Sequence, residues 1–243
     1  MNIILLENVK VGDSVVIKNR RFKHIKEILK SKIGDKIKIG VINSFMGIAE
    51  IIDIEKEFIK LNIESLNIPS PKKLPITLVM AMVRPKSLKK SLHAAITMGV
   101  KEIYIIKTWK VEKSFWSSPI LKEKELNKIV IEALEQSKDT VMPKIIVKRR
   151  FKPFLEDELI YIVKDKKAIL AEPTSNLNIN KLKLDKISYP ETVLAVGPEG
   201  GFIKYEIDKF KDIGFEDFNI GKRILRVEFA IPVLLSKLEL LSN

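Results

Sequence analysis

The sequence predicts an α/β protein in which a small β-rich unit precedes a larger unit built on a parallel sheet. Three observations predict it. The first 70 residues hold five short β-rich runs around one amphipathic stretch. The segment NIPSPKKLP, Asn67 to Pro75, then interrupts the pattern with three prolines and two lysines. From Leu74 onward, apolar runs alternate with amphipathic ones, as strands alternate with crossover helices in a parallel sheet. The chain therefore divides into a barrel at 1–70 and an α/β domain at 74–243.

The early runs NIILL, SVVIK, KIKIGVI, GIAEIIDI and EFIKLNIES are rich in β-branched residues. Turn signals such as Gly12-Asp13 and Gly34-Asp35 separate them. Between the second and third, RRFKHIKEILKSK puts Phe22, Ile25, Ile28 and Leu29 at helical spacing, with Arg20, Arg21, Lys23, Lys26 and Lys30 on the other sides. Five strands and one helix predict a small barrel. In the second unit ITLVMAMV is a buried strand, and PKSLKKSLHAAITMGV is a helix that starts at Pro85 and ends near Gly99. KEIYIIK, KIIVKR, KAILAEP, TVLAVGP and FEDFNIG follow as strands, with LKEKELNKIVIEALEQSK and KYEIDKFKDIGF as helices. A terminal helix from Val227 carries Val227, Ala230, Ile231, Leu234, Leu235, Leu238 and Leu241 along one stripe, with Phe229, Val233 and Leu240 elsewhere. An apolar surface this wide predicts either a central core helix or one that also meets another subunit.

Composition narrows the function. The 243 residues include no cysteine, so disulfide frameworks and thiolate metal or redox chemistry are excluded. Two histidines, His24 and His93, give little basis for an imidazole metal site. The apolar run in MNIILLENVK is too short for a signal peptide and is interrupted by Glu7. No stretch reaches the roughly 18 uncharged apolar residues of a membrane helix. A soluble, cytoplasmic protein is expected. The net charge of +13 suits a polyanionic partner such as nucleic acid, an anionic membrane surface or an acidic protein, although a lysine-rich proteome would produce it too.

Ligands of parallel sheets bind beyond the C-terminal ends of the strands. At one such end TVLAVGPEGGF turns through Gly197, Pro198, Glu199, Gly200 and Gly201. This is neither G-x-x-x-x-G-K-[ST] nor G-x-G-x-x-G. An anionic Glu199 ill suits phosphate, which gains from helix-end N–H groups and cations. A cationic ligand without phosphate fits better. S-adenosylmethionine has a sulfonium, an ammonium and an adenine edge that can bond to backbone groups; a plain tight turn is the other reading. A second segment, IGKRILRVEFA from Ile220 to Ala230, repeats the pattern of strand end, glycine and helix. It brings Arg223, Arg226 and Glu228 to the same sheet edge, where arginines bind RNA phosphate, orient a base or pair with Glu228.

The elements GPEGGF…E and G-x-RILR-x-E-x-A together resemble the RsmE family, SPOUT-class methyltransferases that form 3-methyluridine in 16S ribosomal RNA. The likeness continues through RPKSLKKSLHAAITMGVKEIYII, VEKSFWSSP, EALEQSKDTVMP and RRFKPFLEDEL, and includes RRFKHIKEILKSKIGDKI near the amino terminus. It implies a PUA-like β-barrel followed by a SPOUT α/β domain with a trefoil knot. It also implies a homodimer, S-adenosyl-L-methionine as cofactor, and 16S ribosomal RNA or the small ribosomal subunit as partner. Three loops would hold the cofactor: Leu170, Ala171, Glu172 and Pro173; then Gly197 to Gly201; then Ile220, Gly221, Ile224, Leu225 and Arg226. The target base would approach Arg226, the candidate group for charge developing on the uracil ring. Glu228 and Glu199 are candidate proton acceptors. Glu228 is favoured as the partner that fixes Arg226, and Glu199 is also a candidate cap for its own turn. Arg20, Arg21, Lys23, His24 and Lys30 form the expected RNA handle, with Arg84, Lys86 and the basic run Lys148, Arg149 and Arg150 as further contacts. Trp109 and Trp116 are candidates to close over substrate, packing being the plainer role. The chain departs from the family at Ala94 and Thr97, where many members have lysine and glutamate, and at Phe229, where threonine is common. Two other functions fit: a related methyltransferase acting on another RNA base, and a non-catalytic ribosome-assembly factor.

Overall fold

The computed structural model describes residues 1–182 and 191–242, except the side chains of residues 241 and 242. Leu241, the last member of the expected helical stripe, therefore has its side chain outside the described residues. The chain forms two compact units, Met1–Lys72 with Val130–Met142 and Lys73–Ile129 with Pro143–Asn243. A single linear cut between 70 and 74 does not reproduce this division, because Val130–Met142 groups with the amino-terminal residues.

In the first unit the strands β1 (Ile4–Leu6), β2 (Ser14–Ile17), β3 (Lys36–Val41), β4 (Met46–Ile54) and β5 (Ile59–Ile68) form one sheet in the order β1-β3-β4-β5-β2. β1 runs parallel to β3, and the other pairs are antiparallel. Burial alternates along β4 and through most of β5, as a pleated strand with one face inward requires. Register shifts between β4 and β5 bend this pair, as bulges do. Residues from all five strands meet in one core that includes Ile4, Ile17, Ile39, Ile51 and Leu61. Phe22 and Ile25 close it from the short helix α1 (Asn19–Lys23) and the π-helical turn His24–Ile28 that continues α1. The five strands and one helical stretch expected of the small barrel are thus present and share this core.

The second unit has six strands: β6 (Ile76–Ala81), β7 (Glu102–Ile106), β8 (Lys144–Lys148), β9 (Lys167–Ala171), β10 (Thr192–Val196) and β11 (Glu216–Phe218). They form an all-parallel sheet in the order β11-β9-β10-β6-β7-β8. Every residue of β6 and β10 is buried, which requires cover on both faces. The covering helices include α2 (Pro85–Thr97) and the first part of α3 (Glu123–Ser137). A helical stretch not anticipated from the sequence follows β8: α4 (Phe151–Phe154), a π-helical turn at Leu155–Leu159 and α5 (Ile160–Ile162). Its Phe154, Leu155 and Leu159 pack with Phe202, Phe210 and Phe215 against Val79, Ile106, Leu170 and Ala195. Phe210, on α6 (Lys204–Asp212), meets Phe202 and Phe215 edge-on at 5.1 and 5.0 Å, a preferred aromatic geometry.

The terminal helix α7 (Val227–Ser242) continues through Pro232 and packs against α2. Val227, Ile231, Leu234, Leu235 and Leu238 are buried, while Phe229, Val233 and Leu240 are exposed. The helix thus fills the core with one stripe and leaves a second apolar strip on the chain surface. Among the described residues, no helix is long and apolar enough to cross a membrane, and no cluster of His, Cys, Asp or Glu could hold a metal ion.

Candidate active site

β9, β10 and β11 are neighbours, and each ends at the same edge of the sheet. The loops that leave those ends enclose a cavity of about 230 Å³, together with the first turns of α7. The wall from β9 is Ala171, Glu172 and Pro173. The wall from β10 is Gly197, Pro198, Glu199, Gly201 and Phe202, and the segment after β11 adds Asn219 to Gly221 and Arg223 to Arg226. Val227, Ala230 and Leu234 close it from α7. Gly201 at φ 68° and Gly221 at φ 133° lie in the left-handed region, where a side chain would strain the loop.

The structure brings most of the expected cofactor residues to this cavity but moves two away. Leu170 is fully buried in the aromatic core. β9 continues one residue further, where Ala171 pairs with Phe218, so the loop begins later than expected. Gly200 is not part of the wall either. A Cβ at Gly200 would lie 3.2 Å from the Lys110 side chain, and Lys110 Nζ donates to its carbonyl at 2.9 Å.

Two carboxylates line the cavity. Glu172 is buried, and its Oε1 accepts from the Thr174 N–H at 3.0 Å and the Thr174 hydroxyl at 2.8 Å. Glu199 is exposed at the wall and does not cap its own turn as expected. Its Oε1 instead accepts the Arg84 N–H at 3.1 Å, which ties the start of α2 to the glycine-rich loop. Arg226 is exposed and lines the cavity, but it does not pair with Glu228 among the described residues. Glu228 is buried outside the cavity wall, and the cation recorded beside it is Lys90, with Nζ at 4.0 Å.

Asn219 organises the third loop, although nothing in the sequence reading singled it out. Its Oδ1 accepts from Asn178 Nδ2 at 2.8 Å and from the Gly221 N–H at 3.0 Å, and its Nδ2 donates to the Ser175 carbonyl at 2.7 Å. One amide thereby fixes the β9 and β11 loops to each other. Its position ahead of a glycine was the available signal. Nearby, a 2.8 Å ion pair with Lys211 holds the Asp217 carboxyl below the usual aspartate range.

Two members of the expected RNA handle have partners within the fold. Arg20 and Arg21 both pair with Glu135, a carboxylate with no exposed surface, and the Arg21 contact measures 2.7 Å. A buried carboxylate needs such partners. Removing either arginine therefore mixes loss of fold with any loss of RNA contact, and Arg20→Ala is not a clean probe of RNA binding. His24 is half-buried, with its Nε2 shut off from solvent and unpartnered among the described residues. Lys23, Lys30, Arg84 and Lys86 are exposed. Of the two tryptophans, Trp116 is buried at 8% exposure and Trp109 is 79% exposed.

The second unit is thus an α/β domain with a loop-built cavity at the carboxyl edge of a parallel sheet, and the chain also carries a small β-rich unit. The chain belongs to the RNA methyltransferase family, whose domain model matches residues 70–239, and an RNA methyltransferase PUA domain matches residues 17–64. Over 233 residues it is 27% identical to the ribosomal RNA small subunit methyltransferase E of Treponema pallidum, covering 95% of this chain and 87% of that protein. Over 231 residues it is 28% identical to the protein of the same name from Mesomycoplasma hyopneumoniae, covering 95% and 96%. Two solved structures share the fold at a TM-score of 0.75. One is a Legionella pneumophila protein in complex with bound SAM, at 22% identity, and the other is the ribosomal RNA small subunit methyltransferase E of Neisseria gonorrhoeae bound to S-adenosyl methionine, at 20%. Each comparison covers 99% of this chain and 98% of the other.

Proposed function

We propose that this protein transfers the methyl group of S-adenosylmethionine to N3 of a uridine in 16S ribosomal RNA. The observation that carries the proposal is the cavity where three adjacent strands end, lined by Glu172, Glu199 and Arg226 from three different loops. This lining suits a ligand that combines apolar atoms with positive charge. A buried carboxylate favours a cation, and the glycine-rich loop has an acid where a phosphate loop has a lysine. When bound, S-adenosylmethionine supplies an electrophilic methyl group on a sulfonium.

The protein's own residues then have three tasks. The loops hold both reactants in a dry, fixed alignment, which can lower the activation barrier of a two-reactant displacement by about 7–11 kcal/mol. Arg226 donates toward the uracil oxygens, where negative charge develops as the N3 proton leaves. Glu199 is better placed than Glu228 to take that proton, because it lines the cavity and its Oε1 is oriented by the Arg84 N–H. Transfer from a bound sulfonium would form the N3–C bond as the S–C bond breaks, with the N3 proton passing to the Glu199 carboxylate or to water. The test is which nucleoside carries the label after transfer from methyl-labelled S-adenosylmethionine.

The active form in this proposal is a homodimer in the cytoplasm, where small subunits are assembled. The strip of Phe229, Val233 and Leu240 supports a second copy as its cover, since a row of exposed large apolar residues on one helix marks an interaction surface. Sedimentation should give twice the mass of one chain. A fully active monomer at micromolar concentration would remove the dimer from the proposal.

A further inference from the structure

Trp109 has no task in the account above, and its exposure is unusual, because an indole normally buries most of its area. Its backbone is held firmly all the same. The Trp109 N–H donates to Glu206 Oε1 at 2.7 Å, and the other oxygen of that buried carboxylate accepts the Ile203 N–H at 3.0 Å. One residue on, Lys110 donates to the Gly200 carbonyl, and its methylenes pack where a Gly200 side chain would stand. The loop after β7 is thus held by Lys110 to the glycine-rich loop, whose Glu199 and Gly201 line the cavity, and by Trp109 to the first turn of α6. The side chain left exposed by this stapling is a large aromatic ring.

The surrounding charge indicates what the ring meets. Lys107, Lys110 and Lys113 are exposed on the same loop, and Arg150 is exposed just beyond β8, which pairs with β7. Arg149 differs, since its guanidinium lies over the buried Trp116 ring and donates to the Trp116 carbonyl at 3.1 Å. An exposed aromatic ring on an anchored backbone, with cations nearby in the chain, is a combination that binds single-stranded nucleic acid, in which bases stack on rings and phosphates follow the positive charge. We infer that Trp109 is a stacking platform for a base of the RNA strand entering the cavity, and so a positioning residue for the transfer. The inference rests on the proposed RNA substrate and adds the contact that presents the strand.

The test uses the full chain with two probes, a short single-stranded oligouridylate and an abasic ribose-phosphate strand of the same length. Trp109→Ala should weaken binding of the oligouridylate about 5- to 150-fold. Its binding of the abasic strand should be unchanged, because phosphate contacts remain. Trp109→Phe should restore most of the lost affinity. Oligouridylate should quench the wild-type tryptophan emission, and Trp109→Phe, which leaves only Trp116, should lose that response. Unchanged oligouridylate affinity in Trp109→Ala, or an equal loss on both strands, would overturn the inference. S-adenosylmethionine binding and methyl transfer by the wild type are measured separately. A protein that discriminates the strands through Trp109 but transfers no methyl group would refute the reaction and leave the stacking contact standing.

Discussion

Replacing Arg226 by lysine should lower the single-turnover rate of methyl transfer about 10²–10³-fold, the usual cost of removing one donor aimed at developing charge. The substitution keeps the positive charge. What it loses is the planar guanidinium, which presents two donors at once to neighbouring acceptors, whereas an ammonium acts as a point charge. Arg226 lines the cavity and is exposed, and it makes no ion pair with Glu228 among the described residues. The lysine variant therefore leaves no buried partner behind, and its fold should be intact by circular dichroism. Affinity for S-adenosylmethionine should change much less than the rate, because the proposed task concerns the base. Near-normal transfer at saturating RNA would remove Arg226 from the mechanism and make Glu199 the next side chain to replace.

The second large effect concerns the cavity itself. Ala230 lies in its wall on α7, so Ala230→Phe places a ring in a space of about 230 Å³ without asking the helix to change course. Forcing a ligand to share a packed site costs about 1–3 kcal/mol, which corresponds to roughly 5- to 150-fold weaker binding of S-adenosylmethionine. Calorimetry reads this directly. Gly200→Ala is the matched control. Its new Cβ would meet the flexible Lys110 side chain outside the cavity, so cofactor affinity should hold. Equal affinity for Ala230→Phe and the wild type would place the cofactor elsewhere.

This control also shows where sequence and structure part. The glycine-rich turn is legible as a candidate ligand loop because it follows a buried, mostly apolar strand and contains an acid where a phosphate loop has a lysine. Gly201 does line the cavity, but its neighbour Gly200 faces Lys110, a residue 90 positions away whose approach no local pattern announces. Leu170 lies outside the cavity lining for a related reason. Pairing of Phe218 with Ala171 extends β9, and strand pairing is a tertiary fact. The alternating strands of the first unit and the buried β6 and β10 were legible because burial on one face or on both leaves a period in the sequence. Charged side chains leave no such period. Arg20 and Arg21 look like a solvated basic face until Glu135, 115 and 114 residues on, is brought against them. Glu228 stands two residues after Arg226, yet the cation recorded beside it is Lys90 on α2. Asn219 was overlooked because a lone asparagine before a glycine is common turn chemistry, and only the folded chain shows its amide joining two loops.

The most direct test of the central claim is to incubate the purified protein with methyl-labelled S-adenosylmethionine and unmodified 16S ribosomal RNA, either free or assembled into small subunits. The RNA is then digested and its nucleosides are separated by mass spectrometry. The account predicts that the label appears in 3-methyluridine and disappears with Arg226→Lys on the single-turnover timescale. Label in a different nucleoside, or no label from a protein that binds both S-adenosylmethionine and RNA, would contradict it.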